Sequence, residues 1–209
     1  MSPPRRSLVH VRGCCVVVVL MLLGLAVACG SGRTSAGSAI VTVTGRIGPL
    51  QLDRSDRAAV IAFAGRPDAE RRGQAPGGYA PYDVLGYGCG TRAAPNATPL
   101  VEGGPYCRTA FFINRRTGRL ETFFTGAARY SEGHGVRIGM PTAAAERALH
   151  KRLVEGCEEN IHLSSATADL TIAFSGGTFQ RPSLHVIGGH VYAFVLHSHR
   201  TDAGVFDCM

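Results

Sequence analysis

Lysine is almost missing from this chain: Lys151 is the only one among 22 basic residues. Alanine and glycine are abundant beside it, a bias that a GC-rich bacterial genome produces without any selected arginine cluster. There is no C-x-x-C pair, and no histidine stands at ligand spacing from two cysteines, which argues against the usual zinc-cluster patterns. The first 29 residues contain no acid. The apolar run from Cys14 to Ala28 falls short of the ~20 residues that a membrane-crossing helix needs.

What stands at the N-terminus instead is an export signal. Arg5, Arg6 and Arg12 form a positive n-region ahead of the apolar run, and Leu25-Ala26-Val27-Ala28-Cys29 closes it. That ending resembles the bacterial lipobox, which implies that Cys29 becomes diacylated and then N-terminal. Ala26-Val27-Ala28 also reads as a general signal-peptidase site, and cleavage there would leave a secreted protein beginning at Cys29. Lipidation is the favoured reading, because a cysteine directly after a small residue is otherwise an odd mature N-terminus; the Gly/Ser-rich tether over residues 30–39 supports it by suiting a domain held off a surface. The expected location is the extracytoplasmic side of the cell membrane, through a diacylglyceryl anchor.

Losing the leader removes three arginines and no acid, so 22 basic against 15 acidic residues shrinks to a mild basic excess. That excess suits anionic envelope polymers as well as plain solubility. Nucleic acid is not an expected partner outside the cytoplasm. Cys89, Cys107, Cys157 and Cys208 remain downstream of Cys29, an even number in an exported chain, which points to two disulfides. Three connectivities are open. Cys89–Cys107 with Cys157–Cys208 is preferred, since each pair then stays within one half of the chain.

The halves share a grammar. Ile47-Gly48 and Ile138-Gly139 are separated by the same interval as Gly65 and Gly156. One helix is expected from about Asp53 to Ala64, with Asp53 or Ser55 as N-cap and Gly65 as stop. A second is expected from Thr142 to Glu155, capped by Thr142 and ended by Gly156. Strands are expected at 39–44, 83–89, 107–114 and 119–125, then at 168–174, 183–187 and 190–197. Gly/Pro-rich sequence between Gly65 and Asp83, and between Gly90 and Tyr106, predicts loops. The expected fold is therefore α+β: two related helix-plus-antiparallel-meander halves, 40–130 and 131–209, after the signal peptide (1–29) and tether (30–39).

Ile138, Gly139, Met140, Thr142, Ala145 and Glu146, on a turn before an alanine-rich helix followed by strands, resemble the small envelope lipoproteins of the BamE/SmpA type. Two such units in tandem resemble the β-lactamase-inhibitor-protein architecture. The first half keeps only Ile47-Gly48 of the motif. The resemblance implies a binding module and no particular target.

Candidate chemistry is sparse. Ala173-Phe174-Ser175-Gly176-Gly177 approaches a G-x-S-x-G nucleophile elbow, but the sequence after it reads as a loop where the elbow needs a helix. His197 and His199 share one side of a strand, and His185 or Asp202 could complete a metal set on paper; a solvated sheet face is the simpler reading, and no metal or cofactor is expected. Arg115, Arg116 and Arg119 gather at one hairpin turn, where guanidinium groups can grip phosphate or carboxylate. Strand alternation sends one phenylalanine of each neighbouring pair outward, so Phe112 and Phe124 beside Tyr87 form the expected apolar binding patch. Asp53, Asp56 and Glu146 read as helix-start acids. Asn96-Ala97-Thr98 is a sequon with no expected use behind a bacterial lipobox.

These readings converge on a lipid-anchored, non-catalytic binding or scaffold module with an envelope protein as partner. The alternatives are an envelope-acting hydrolase or a small-ligand binder. Replacing Cys29→Ala is expected to block lipidation and processing; cell fractionation checks it, and membrane retention equal to that of the parent would rule the anchor out.

Overall fold

The β-branched and aromatic runs of the sequence form strands whose ends differ from the expected ones by a few residues. The computed structural model describes residues 38–74, 81–91, 96–99, 104–153, 160–175, 178–180, 185–187 and 189–200. All of them belong to the compact unit spanning 36–209. In chain order the elements are β1 (Ala39–Thr42), β2 (Arg46–Ile47), β3 (Leu50–Gln51), α1 (Arg57–Ala64), β4 (Ala69–Gln74), β5 (Pro81–Gly90), β6 (Thr98–Pro99) and β7 (Tyr106–Asn114). Then follow β8 (Leu120–Thr125), β9 (Tyr130–Glu132), α2 (Thr142–Leu149), β10 (Asn160–Ser164), β11 (Ala168–Ser175), β12 (Thr178–Gln180), β13 (His185–Ile187) and β14 (His190–Ser198).

A large sheet runs in the order β10-β11-β14-β8-β7-β5-β4, with β6 added on β7. A small sheet runs β3-β2-β1-β9, and β12 and β13 form a hairpin of their own. This corrects the α+β expectation: the fold is mostly β, not a pair of helix-plus-meander halves. The reason lies in one pairing and one length. Strand β8 pairs antiparallel with β14 from Thr125↔Phe194 to Thr122↔His197, which fuses strands from both parts of the chain into one sheet. Each helix has eight residues, or about 12 Å, against a sheet roughly 29 Å wide at ~4.8 Å per strand. Such helices cannot each roof a sheet; the small sheet does much of the covering.

Both faces of the large sheet are buried at its centre. Leu85, Phe111, Phe123, Leu170, Ile172, Phe194 and Leu196 share a core with Val41, Ile47 and Leu50 of the small sheet and with Val60, Ala145 and Leu149 of the helices. Val84, Ala110, Phe112, Phe124, Ala193 and Val195 form a second cluster. Burying one such phenylalanine contributes roughly 1.5–3 kcal/mol. A row of ring contacts crosses the main core: Tyr87 to Phe111 at 5.7 Å, Phe111 to Phe123 at 4.9 Å, Phe123 to Tyr130 at 5.2 Å. The Arg129 guanidinium carbon lies 4.8 Å from the centre of the Tyr130 ring, and Tyr87 Oη donates to the Gly65 carbonyl at 3.0 Å.

Several local expectations change. The N-cap of α1 is Asp56, which accepts from the Ala59 amide at 2.9 Å, rather than Asp53 or Ser55. Gly65 does end that helix, at φ 85°, where a side chain would be strained. Thr142 is the first helical residue of α2 and not its cap, which is Pro141. Helix α2 stops at Leu149 with His150 in the left-handed region, well before Gly156, which lies outside the described residues. The expected loop after Gly65 contains β4, whose polar sequence suits an edge strand: Arg57 reaches both carboxylate oxygens of Glu70 at 2.8 and 2.7 Å and ties α1 to it. Strand β6 likewise occupies part of the other expected loop.

Cys89 and Cys107 form a disulfide between directly paired positions of β5 and β7. Closing a loop of that size stabilises by about 3 kcal/mol in the chain-entropy account. Cys29, Cys157, Cys208 and the leader lie outside the described residues. Among the described residues, no helix is long and apolar enough to cross a membrane.

Burial, with Tyr130 and Glu70 nearby, pushes the Tyr87 hydroxyl up from 10.0 to about 12. A tyrosine raised in this way leaves stability untouched below pH ~10 and withdraws about 2–3 kcal/mol as pH climbs through ~12, because only the unfolded chain ionises freely. The Tyr87→Phe variant is expected to start about 1 kcal/mol less stable for want of its hydrogen bond, yet to decline less steeply above pH ~10. Denaturant titrations across that range check it; equal slopes in variant and parent would remove Tyr87 from the account.

Candidate functional site

The apolar face expected from the sequence is not exposed. Tyr87, Phe112 and Phe124 are 8%, 0% and 1% accessible, because the centre of the sheet is covered on both sides. Among the described residues, Ile40 is the one large hydrophobic side chain that stands exposed. The arginine turn is also dispersed. Arg115 Nε lies 3.8 Å from Asp83 Oδ1, and Arg119 Nη1 donates to the Arg54 carbonyl at 2.8 Å. At Arg116 the backbone amide donates to Asn114 Oδ1, leaving its exposed side chain at the tip. Buried Glu121 fixes the turn from beneath, accepting from Asn114 Nδ2 at 2.8 Å and Thr117 Oγ1 at 3.2 Å.

Arg119 leads to a different place. The chain leaving β3 turns sharply, with the Leu52 amide on the Gly45 carbonyl and the Asp53 amide on the Leu120 carbonyl. Asp53 adopts φ 61°, a left-handed conformation that aspartate tolerates better than most residues. Its Oδ2 accepts from Ser198 Oγ at 2.6 Å, a charge-assisted bond between residues 145 positions apart. Beside this bond opens a cleft of about 560 Å³ lined by Thr44, Gly45, Gln51–Arg54, Ala166–Ala168, His199 and Arg200.

The wall on the β11–β14 side is ordered by Asp169. Its Oδ2 lies 3.4 Å from His197 Nε2 and 3.0 Å from His199 Nε2. Burial pushes the Asp169 carboxyl up, but hydrogen bonds from Ser164 and His199 and the charges of both histidines outweigh it and hold the group below its ordinary value. His197 and His199 do share a side, as their spacing requires, and what they meet is a carboxylate. Among the described residues, no group of three or more His, Cys, Asp or Glu is arranged to hold a metal. Ser175 ends β11 opposite His190, and the next described element is strand β12, not the helix an elbow needs. The Asn96 amide donates to the Gly126 carbonyl at 2.8 Å, a close approach that any Cβ at Gly126 would block.

Sequence reading missed the cleft for definable reasons. Asp53 stands just ahead of a helix and reads as a cap, and the better-placed Asp56 beside it was the available warning. Asp169 faces His197 only through the register of β11 on β14, which no local pattern reveals. Arg54 and Arg200 carry no motif at all.

No protein-family model matches the chain, and no curated protein matches it. Among solved structures it is similar to the uncharacterized protein YfeY from Escherichia coli, with a TM-score of 0.42 and 13% identity over 76% of this chain and 99% of that one. An extracellular protein containing a SCP domain from Bacillus anthracis gives a TM-score of 0.35 and 10% identity over 69% of this chain, which spans 43% of that protein. Likenesses this distant bear on neither activity nor partner, and neither points to the BamE/SmpA type.

Ser198→Ala removes a donor from a partly buried carboxylate and is expected to lower the unfolding free energy by about 1.5–3 kcal/mol. Urea titration checks it, and a loss below about 0.5 kcal/mol would show that the bond to Asp53 carries little weight.

Proposed function

We propose that this chain is an exported, lipid-anchored, non-catalytic binding module of the bacterial cell envelope, and that it works through the cleft at Arg54 and Arg200. The leader ending at Cys29 supports the location. The observation that carries the rest is the engagement of the cleft's Asp53 and His199 with reactive groups packed behind its lining. Ser198 is fully buried and its hydroxyl proton is committed to Asp53, while Asp169 holds His197 and His199. A nucleophile needs an adjacent base and an accessible oxygen. These groups instead build the walls of a recess open to a partner.

Tagged full-length protein cross-linked in cells is expected to capture one dominant envelope component at near-stoichiometric yield. Replacing Arg54→Ala and Arg200→Ala together is expected to reduce that yield roughly tenfold, the loss of two charge-assisted contacts. Capture indifferent to both arginines, or chemical breakdown of the captured material by the purified protein, would overturn the reading.

A further inference from the structure

The cleft's chemistry is mixed in a particular way. Arg54 and Arg200 bring two guanidinium groups, and among the described residues neither guanidinium has a hydrogen-bond or ion-pair partner. One carboxylate, Asp53, shares the lining with them, with Oδ2 occupied by Ser198. Gln51 spends its Nε2 donor on the Thr44 carbonyl at 3.0 Å, which leaves its side-chain oxygen as an acceptor. The second Asp53 oxygen is likewise without a partner among the described residues. The recess therefore offers strong donors for an anion and, beside them, acceptors for neutral hydroxyl groups.

Size and surface narrow the ligand further. About 560 Å³ lies within the ~300–1,000 Å³ typical of small-molecule sites. The apolar part of the lining is Leu52, Ala166 and Ala168, with no phenylalanine, tyrosine or tryptophan. Nucleobases and aromatic ligands are ordinarily held by stacking on rings, and the one ring in the lining, the His199 imidazole, is tied to Asp169. A ligand carrying only negative charge would meet Asp53 unfavourably, and one carrying only hydroxyls would leave both arginines unanswered.

We infer that the cleft binds an acidic sugar unit, in which a carboxylate or phosphate meets Arg54 and Arg200 while ring hydroxyls donate to Asp53 and Gln51. This rests on the binding-module reading and gives its site a substrate class: the anionic glycans of an envelope. Arginine suits the anion because its fork can engage two oxygens at once.

Calorimetry on the full chain in mild detergent tests it with three probes: trigalacturonic acid, glucose 1-phosphate and neutral maltotriose. At least one acidic probe is expected to bind, roughly tenfold or more tightly than maltotriose. Which acidic probe binds better distinguishes carboxylate from phosphate. Arg54→Gln with Arg200→Gln is expected to weaken that binding roughly tenfold and to flatten its salt dependence. Gln51→Ala is expected to cost roughly threefold and to leave the salt dependence unchanged. Heat from neither acidic probe, parity with maltotriose, or binding indifferent to the arginine pair would overturn the inference. Arginine-dependent capture in cells alongside such a result would leave the binding-module reading standing and remove only the acidic sugar.

Discussion

Tyr87, Phe111, Phe123 and Tyr130 come from β5, β7, β8 and β9, so their row of ring contacts passes from the large sheet to the small one without a break. At one end Tyr87 holds the carbonyl of Gly65, the residue that ends α1; at the other, Tyr130 belongs to the strand that pairs in parallel with β1. Aromatic pairs of this kind add about 0.5–1.5 kcal/mol each beyond their buried area. Their larger effect is geometric. They fix how the small sheet lies on the core, and the small sheet carries β3 and the turn that presents Asp53 and Arg54. The far end of the cleft wall is thus set by aromatic rings in the protein interior.

The strands were legible because their signal is local. Runs such as Cys107–Asn114 and His190–His197 are apolar on both alternating sets of residues, and a strand buried on both faces reads that way. The same double burial defeated the expected binding face. Alternation does send Phe111 and Phe123 to one cluster and Phe112 and Phe124 to the other. It says which residues share a face, and nothing about whether that face meets water. The single large sheet was hidden for a related reason, since the pairing of β8 with β14 joins segments far apart in sequence.

Polar sites were harder to read, and the error had one form. Aspartate and arginine near a turn invite the nearest local role, a helix cap for Asp53 and a hairpin tip for Arg119. In the folded protein each spends its side chain on a distant segment, Asp53 on Ser198 and Arg119 on the Arg54 carbonyl. Asp56, which also read as a helix-start acid, really is local and caps α1. Residue type narrows what a group can bond. Only topology decides which partner arrives.

The bond from Asp53 to Ser198 also sets an order of events. Contacts this far apart in sequence form late, because a long loop must close before they give anything back. On the proposed export reading, a chain translocated N-terminus first would deliver β1, β2, β3 and the Asp53 turn long before β14. Until the chain has emerged as far as Arg200, one wall of the cleft has no counterpart. Recognition by the proposed site would consequently be a property of completed molecules, and a chain stalled or clipped before β14 would carry Arg54 without Arg200.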